Sequence, residues 1–450
     1  MIAGTGVTAE VTELADGRFR VDYRFAEPHS ALIFSRSSAD HRLGAWQVEE
    51  SDAGLERIGG FDSLLFDTPR EAVTLTVEPR YAQPEGDYSP FIAFSDGGLA
   101  LFTGQFELLP VAGRAAIEAL DGNLDAWQGE QPAFGVRVVS DRRLVHDGAV
   151  SDTPVTDIAR GGGTYVYLGD GEIVEGRSYV GVIDAGLPVW IRDSIDTDFE
   201  AMFERYEAGW GFALPQRAVL YFAYSGDEAE GFSNKGGVAG RVIMLDAGGA
   251  AMGEPHPVVR RYLLWFFAHE VVHQFQNHAG AAHADIADSW LHEGSANTMA
   301  HRVMAGIVED PAAYLVREYE TARGDCVSVL ADGPLTGAAA RGQFHAVYAC
   351  GSLIGLMSEA ATPGADLYAI WNAFQARAID AGLPLSGPLW FETLAGLGAG
   401  AREIEAIRTL VDTSLDDPQA ALREAMDITG VNVEFGADGE ITALSLPDDA

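Results

Sequence analysis

The chain reads as a multidomain α+β protein, and three observations carry that reading. The first part alternates apolar and polar residues with a period of two. The middle mixes an amphipathic helix and apolar strands with two strongly helical segments. The last third shows helical periodicity interrupted by Gly/Pro clusters. With 450 residues and 47% hydrophobic content, there is material for a large core and more than one domain.

Residues 1–178 are expected to form a β-rich, sandwich-like N-terminal domain. Phe19, Val21, Tyr23 and Phe25 alternate with Arg18, Arg20, Asp22 and Arg24, so one face of that segment is apolar and the other charged. Val73, Leu75 and Val77 repeat the rhythm. Short apolar runs near 91–94, 99–103, 135–139 and 164–168 are separated by Gly, Pro, Asp and Ser, which end strands. From Val180 the character changes. Within 179–306, the stretch 198–209 places Phe199, Met202, Phe203 and Tyr206 on one helical face. Strands are expected near 218–224 and 238–245, followed by two helices that carry the motifs discussed below. Residues 307–450 are expected to be mainly helical to about 428, with breaks at 332–342, 362–364 and 382–388. A hairpin of 431–435 and 441–446 around Gly436-Ala437-Asp438-Gly439 closes the chain.

Charge narrows the function. There are 29 Lys+Arg against 67 Asp+Glu, a formal net charge of −38. A field of that sign repels phosphate backbones and anionic lipid, which argues against nucleic acid or a membrane surface as partner. No stretch approaches the roughly 18 consecutive apolar residues of a membrane-spanning helix. The first residues carry no basic or apolar leader pattern. The acidic composition tips the expectation toward an exported protein, periplasmic or secreted, whose signal lies outside this sequence, over a cytoplasmic one. The two cysteines, Cys326 and Cys350, close a short loop and are compatible with either a disulfide or two buried thiols. Oligomeric state is not legible.

The most specific feature is Ala268-His269-Glu270-Val271-Val272-His273, followed after a 19-residue spacer by Glu293 within Trp290-Leu291-His292-Glu293-Gly294. Two His four residues apart on a helix project about 40° from one another, so both imidazoles can grip one small cation. The helical context is present: Pro257 suits a first turn, 262–267 is apolar, and Asn277 and Gly280 are stop signals. Glu270 follows the first His and is placed to act as general base toward an activated water. Glu293 would complete a His₂Glu zinc set. His278, His283, Asp285, Asp288 and His292 are alternative third ligands. Glu293 is preferred because it precedes Gly294 on a helix anchored by Trp290, with His283 next. The metzincin spacing would need Gly at 276 and His at 279, where this chain has Gln276 and Ala279.

These two segments resemble the gluzincin metallopeptidases, in particular the aminopeptidase N-like and glycyl aminopeptidase-like families. The resemblance implies a thermolysin-like peptidase domain over 179–306, one Zn²⁺ per chain held by His269, His273 and Glu293, and Glu270 as the base. The spacer is one residue longer than the aminopeptidase N-like pattern, an insertion that the Ala/Gly-rich stretch 279–284 can absorb. Asn297 falls where relatives often carry an acid that holds a ligand His, and its carbonyl can accept the same N–H. Tyr348-Ala349-Cys350-Gly351 is similar to the Tyr-x-x-Gly segment of these enzymes. By that resemblance Tyr348 donates to the oxyanion, with His345 on the same helical face as its alternative. One departure bears on substrate. The stretch 235–245 has the glycines of the edge strand that precedes the zinc helix in the family, but not its Glu, which holds a substrate amino terminus. An edge strand pairing with an extended peptide is still expected there.

The reading is therefore a zinc-dependent peptidase acting on peptide or protein substrates. Its alternatives are a zinc hydrolase of a non-peptide ester, amide or epoxide, and a non-catalytic binding protein that keeps the fold.

Overall fold

The computed structural model describes residues 2–37, 41–80, 82, 87–159 and 162–446. The chain forms two compact units that interleave in sequence. Unit 1 is Met1–Arg192 with Arg217–Glu254, and unit 2 is Asp193–Gln216 with Pro255–Ala450.

Unit 1 is built from three sheets. The first has β1 (Val7–Glu13), β2 (Phe19–Phe34), β3 (Trp46–Val48), β4 (Ala53–Ile58), β5 (Phe61–Val77), β8 (Leu108–Val111), β9 (Phe134–Val139) and β12 (Val155–Ala159). Its order is β12-β9-β1-β2-β5-β3, with β4 on β5 and β8 on β2. The second has β6 (Phe91–Ala93), β7 (Leu99–Phe102), β10 (Leu144–His146), β11 (Ala149–Ser151) and β13 (Tyr165–Leu168), ordered β11-β10-β13-β7-β6. The third has β14 (Glu172–Glu175), β15 (Tyr179–Ile183), β16 (Ala218–Tyr224), β17 (Ser233–Ala239) and β18 (Val242–Gly248), ordered β14-β15-β16-β18-β17. The unit also carries the short helices α1 (Arg42–Ala45) and α2 (Arg114–Leu120).

The second sheet is the middle layer. Leu101, Leu144, Val166 and Leu168 share a core with the first sheet, while Phe102, Val145, Tyr165 and Tyr167 share one with Val182, Tyr221 and Met244 of the third. A strand covered on both faces is apolar at every position, and β13 is buried throughout. The period-two segments behave otherwise: Phe19, Val21, Tyr23 and Phe25 of β2 are buried and their charged neighbours face out. The sandwich read from sequence is thus extended by a third sheet. The boundary expected at 178 falls in the turn between paired β14 and β15, because composition marks where element type changes and not which sheets stack. The single strand expected over 238–245 is two antiparallel strands, the end of edge strand β17 and the start of β18, joined through Gly240.

Unit 2 is mainly helical. α3 (Val189–Trp210) enters it at Asp193, and the helix expected over 198–209 is its later part. Then follow α4 (Pro257–Gln276), α5 (Ser289–Ala305), α6 (Pro311–Leu330), α7 (His345–Ala360), α8 (Leu367–Ala381), α9 (Gly387–Gly396), α10 (Ala401–Asp412) and α11 (Pro418–Thr429). The three expected breaks separate α6 from α7, α7 from α8 and α8 from α9, and two further breaks, 397–400 and 413–417, went unread. β19 (Val433–Phe435) and β20 (Ile441–Leu444) form the expected hairpin. Pro257 opens α4, and the His256 imidazole accepts from Val259 N at 3.4 Å. α3 holds α4 through the Tyr206 hydroxyl, which donates to Ala268 O at 2.8 Å, and through Trp210 stacked on Phe275 at 5.8 Å. Cys326 of α6 and Cys350 of α7 are joined in a disulfide, Cα–Cα 4.8 Å, which resolves the alternative left open by the sequence. Among the described residues, no helix is long and apolar enough to cross a membrane.

Candidate metal centre

Three helices of unit 2 bring the motif residues together. α4 presents His269 and His273 from one face, both buried. α5 brings Glu293, and α7 brings Tyr348. What lets α5 and α7 approach is a pair of glycines. A Cβ on Gly294 would lie 2.2 Å from Gly351 backbone atoms, and one on Gly351 would lie 2.4 Å from Trp290 O. The Thr298 hydroxyl bonds across the same crossing, contacting Gly294 O at 3.0 Å and Ser352 O at 2.9 Å. The glycine after Glu293 and the one after Tyr348-Ala349-Cys350 are therefore two halves of one contact.

His269 Nε2 and His273 Nε2 are 3.0 Å apart, and Glu293 Oε2 lies 3.1 Å from the first and 3.4 Å from the second. This is the group of at least three His, Cys, Asp or Glu ligand atoms that converges among the described residues. Donors at about 2.0–2.1 Å from a tetrahedral zinc lie about 3.3 Å from one another, so the triangle fits one face of such a site. Two imidazole nitrogens and a carboxylate oxygen are also the donor types zinc takes.

The opposite ring nitrogens are both occupied. His269 Nδ1 meets Asn297 Oδ1 at 2.9 Å, as the resemblance implied, and His273 Nδ1 meets Gln276 Oε1 at 2.8 Å, which neither the resemblance nor the sequence suggested. Both amide oxygens accept, so each Nδ1 carries the proton and each Nε2 turns its lone pair inward. The signal for Gln276 was present: it lies three residues after His273, one turn along the same face.

Electrostatics follow from burial and crowding. Burial lowers the pKa of His273, but the adjacent Glu293 carboxylate outweighs it and lifts the value to about 9. Glu293, despite the opposing effect of burial, is held well below the usual carboxylate range by His273, His269 and His292. A proton on His273 occupies the position a cation would take, so metal and proton compete there. Burial pushes the Glu270 carboxyl up, while the two imidazoles pull it down. Burial, then Glu293 and Glu270, raise the Tyr348 phenol, which keeps it protonated at neutral pH.

The alternative ligands lie around the triangle. His292 stacks on His273, centroids 4.1 Å apart, and burial takes its pKa down to about 3. His283 packs edge-on against His292 at 4.3 Å. Neither belongs to the converging group, nor do His278, Asp285 and Asp288. Tyr348 faces His269 at 5.7 Å between ring centroids and, with His345, Asn297, Trp265, Tyr262 and Tyr314, lines a cleft of about 490 Å³.

No family model matches the chain, and no curated protein matches it by sequence. Solved structures do. An aminopeptidase N family protein from Idiomarina loihiensis superposes with a TM-score of 0.65 at 10% identity, over 93% of this chain and 78% of that one. Leukotriene A4 hydrolase from Saccharomyces cerevisiae gives 0.52 at 11% identity, over 92% of this chain and 68% of the enzyme. The same yeast enzyme in complex with bestatin also gives 0.52, at 11% identity, over 91% and 67% of the two chains. With its β-rich N-terminal part and helical C-terminal half, this chain has the fold of the aminopeptidase N family protein and of leukotriene A4 hydrolase.

Proposed function

We propose that the protein is a zinc-dependent peptidase of gluzincin type, with a thermolysin-like arrangement of its motif helices. The observation that carries the proposal is the convergence of His269 Nε2, His273 Nε2 and Glu293 Oε2 within 3.0–3.4 Å, each imidazole braced on its other nitrogen. His269, His273 and Glu293 would hold one Zn²⁺, which supplies Lewis acidity to a scissile carbonyl and acidifies a water. Glu270, between the two His ligands in sequence, takes the proton of the attacking water and passes it to the leaving amine; its raised pKa suits a group that must both accept and release a proton. The Tyr348 hydroxyl donates to the oxyanion as the tetrahedral carbon forms. The cleft beside Tyr348 has room for substrate residues.

A second reading is favoured by one observation: no Glu lies on 235–245 to hold a substrate amino terminus. The same centre would then serve a non-peptide ester, amide or epoxide. Metal content of purified protein and of His273→Ala, followed by digestion of a peptide library, tests both. About one zinc per chain, lost in the variant, with peptide cleavage supports the peptidase. Zinc with turnover of small esters alone moves the protein to the second reading. Glu270→Gln is expected to keep its metal and lose about 10²–10⁴ in turnover; unimpaired turnover would remove the mechanism.

A further inference from the structure

Both metal-facing imidazoles are braced by an amide, and each amide is engaged at its other end as well. Gln276, fully buried, places Oε1 against His273 Nδ1 at 2.8 Å while Nε2 donates to His292 O at 3.1 Å. His292 immediately precedes Glu293, so this one side chain links the second ligand on α4 to the backbone beside the third ligand on α5. Asn297 repeats the pattern from α5: Oδ1 meets His269 Nδ1 at 2.9 Å, and Nδ2 lies 3.5 Å from Tyr348 O on α7. The orientation of both amides follows from chemistry. A backbone carbonyl only accepts, so the NH₂ end must face it and the oxygen must face the imidazole. The backbone O of Gln276 in turn accepts from Gln375 on α8, which anchors the strut from behind.

We infer that Gln276 is a positioning residue for metal binding that works from both ends, as does Asn297, the partner that the resemblance already placed behind His269. Each sets the proton of a ligand imidazole and at the same time fixes the helix that brings the next functional group. The inference rests on reading His269, His273 and Glu293 as a metal site. It explains why amides stand here. A carboxylate would brace the imidazole more strongly, but it is acceptor-only and would face the carbonyl of His292 or Tyr348 with like polarity.

The test is zinc affinity, measured by competition with a chromophoric chelator at mildly alkaline pH, with visible ligand-field spectra of the cobalt-loaded proteins. Gln276→Ala and Asn297→Ala are expected to weaken zinc by about 10–100-fold and to alter the cobalt bands. Gln276→Glu keeps the imidazole contact and the volume but cannot donate to His292 O, so its affinity is expected to stay below wild type. An alanine variant within about twofold of wild type, or Gln276→Glu binding as tightly as wild type, would overturn the inference. The two positions are independent arms, so misfolding of one variant leaves the other decisive. A wild-type protein that takes no zinc would remove the metal reading itself; zinc bound equally by all the variants would remove only the struts.

Discussion

Each unit buries a cluster of ionisable groups, and the two clusters are built on opposite logic. In unit 1, Arg42 and Asp62 are fully buried and paired at 2.9 Å. The guanidinium also reaches Arg36 O at 2.5 Å, Gln105 O at 2.7 Å and Gln105 Oε1 at 2.6 Å, and Asp62 takes Arg57 at 2.9 Å. Each of these contacts sets a donor against an acceptor; of the guanidinium nitrogens, buried Nε has no hydrogen-bond partner among the described residues. In unit 2, two imidazole lone pairs and a carboxylate face one another, while the donors of the two rings are turned outward to amides. The charges of the first cluster are matched within the protein. The second is complete only with a proton or a cation at its centre. Burial of charge alone would not separate a structural site from a chemical one, but the direction of the lone pairs does.

The comparison can be broken first at unit 1. Arg42→Met should cost about 3–5 kcal/mol, because Asp62 is left buried beside a lost partner; His273→Ala in chelator-treated protein, compared above pH 9 where the imidazole is neutral, should cost only about 1 kcal/mol. Urea unfolding of both variants checks this, and equal losses would mean that the two clusters do the same job. Tyr348→Phe should reverse the pattern, leaving stability nearly intact while turnover falls about 10²–10³-fold. Gly351→Ala probes the crossing of α5 and α7. The added Cβ meets backbone that cannot turn aside, so about 1–3 kcal/mol should be lost, and activity should fall further than stability because Tyr348 and Glu293 move apart.

The last effect is a pH slope. His273 has its folded pKa raised from 6.5 to about 9, so its contribution is fully present below pH 6.5 and is lost as pH rises toward 9. Metal-free protein should therefore weaken over that window. Zinc-loaded protein should not, because the metal has taken the proton's place and binds better as protons leave. Thermal melts with and without chelator, at several pH values, read both slopes.

Much of the site was legible because it is local. His269, Glu270 and His273 lie within one helical turn, where spacing alone dictates a shared face. Glu293 and Tyr348 sit on other helices; Glu293 was preferred from its place before Gly294 on a Trp290-anchored helix, only the resemblance linked Tyr348 to the site, and the Gly294–Gly351 contact that brings their helices together is a tertiary fact. Gln276 went unread although its spacing from His273 was plain, since nothing in the sequence says that a glutamine's far end will find a carbonyl on another helix. In unit 1 the alternating strands announced themselves. The stacking of a third sheet did not, because β13 is apolar at every position and an unbroken apolar run does not say what covers it.

The disulfide between α6 and α7 sets more than stability. Tyr314, Arg317 and Glu318 on α6 face His345, Tyr348 and Ala349 on α7 across the cleft, and Cys326 and Cys350 rivet the two walls beside it. The opening is thus a calibre fixed by a covalent bond. Walls held by side-chain packing alone loosen progressively on warming; riveted walls keep their gauge until the helices themselves melt. Selection of substrates by size should accordingly be nearly independent of temperature in the oxidised protein and should drift once a reductant has cut the rivet.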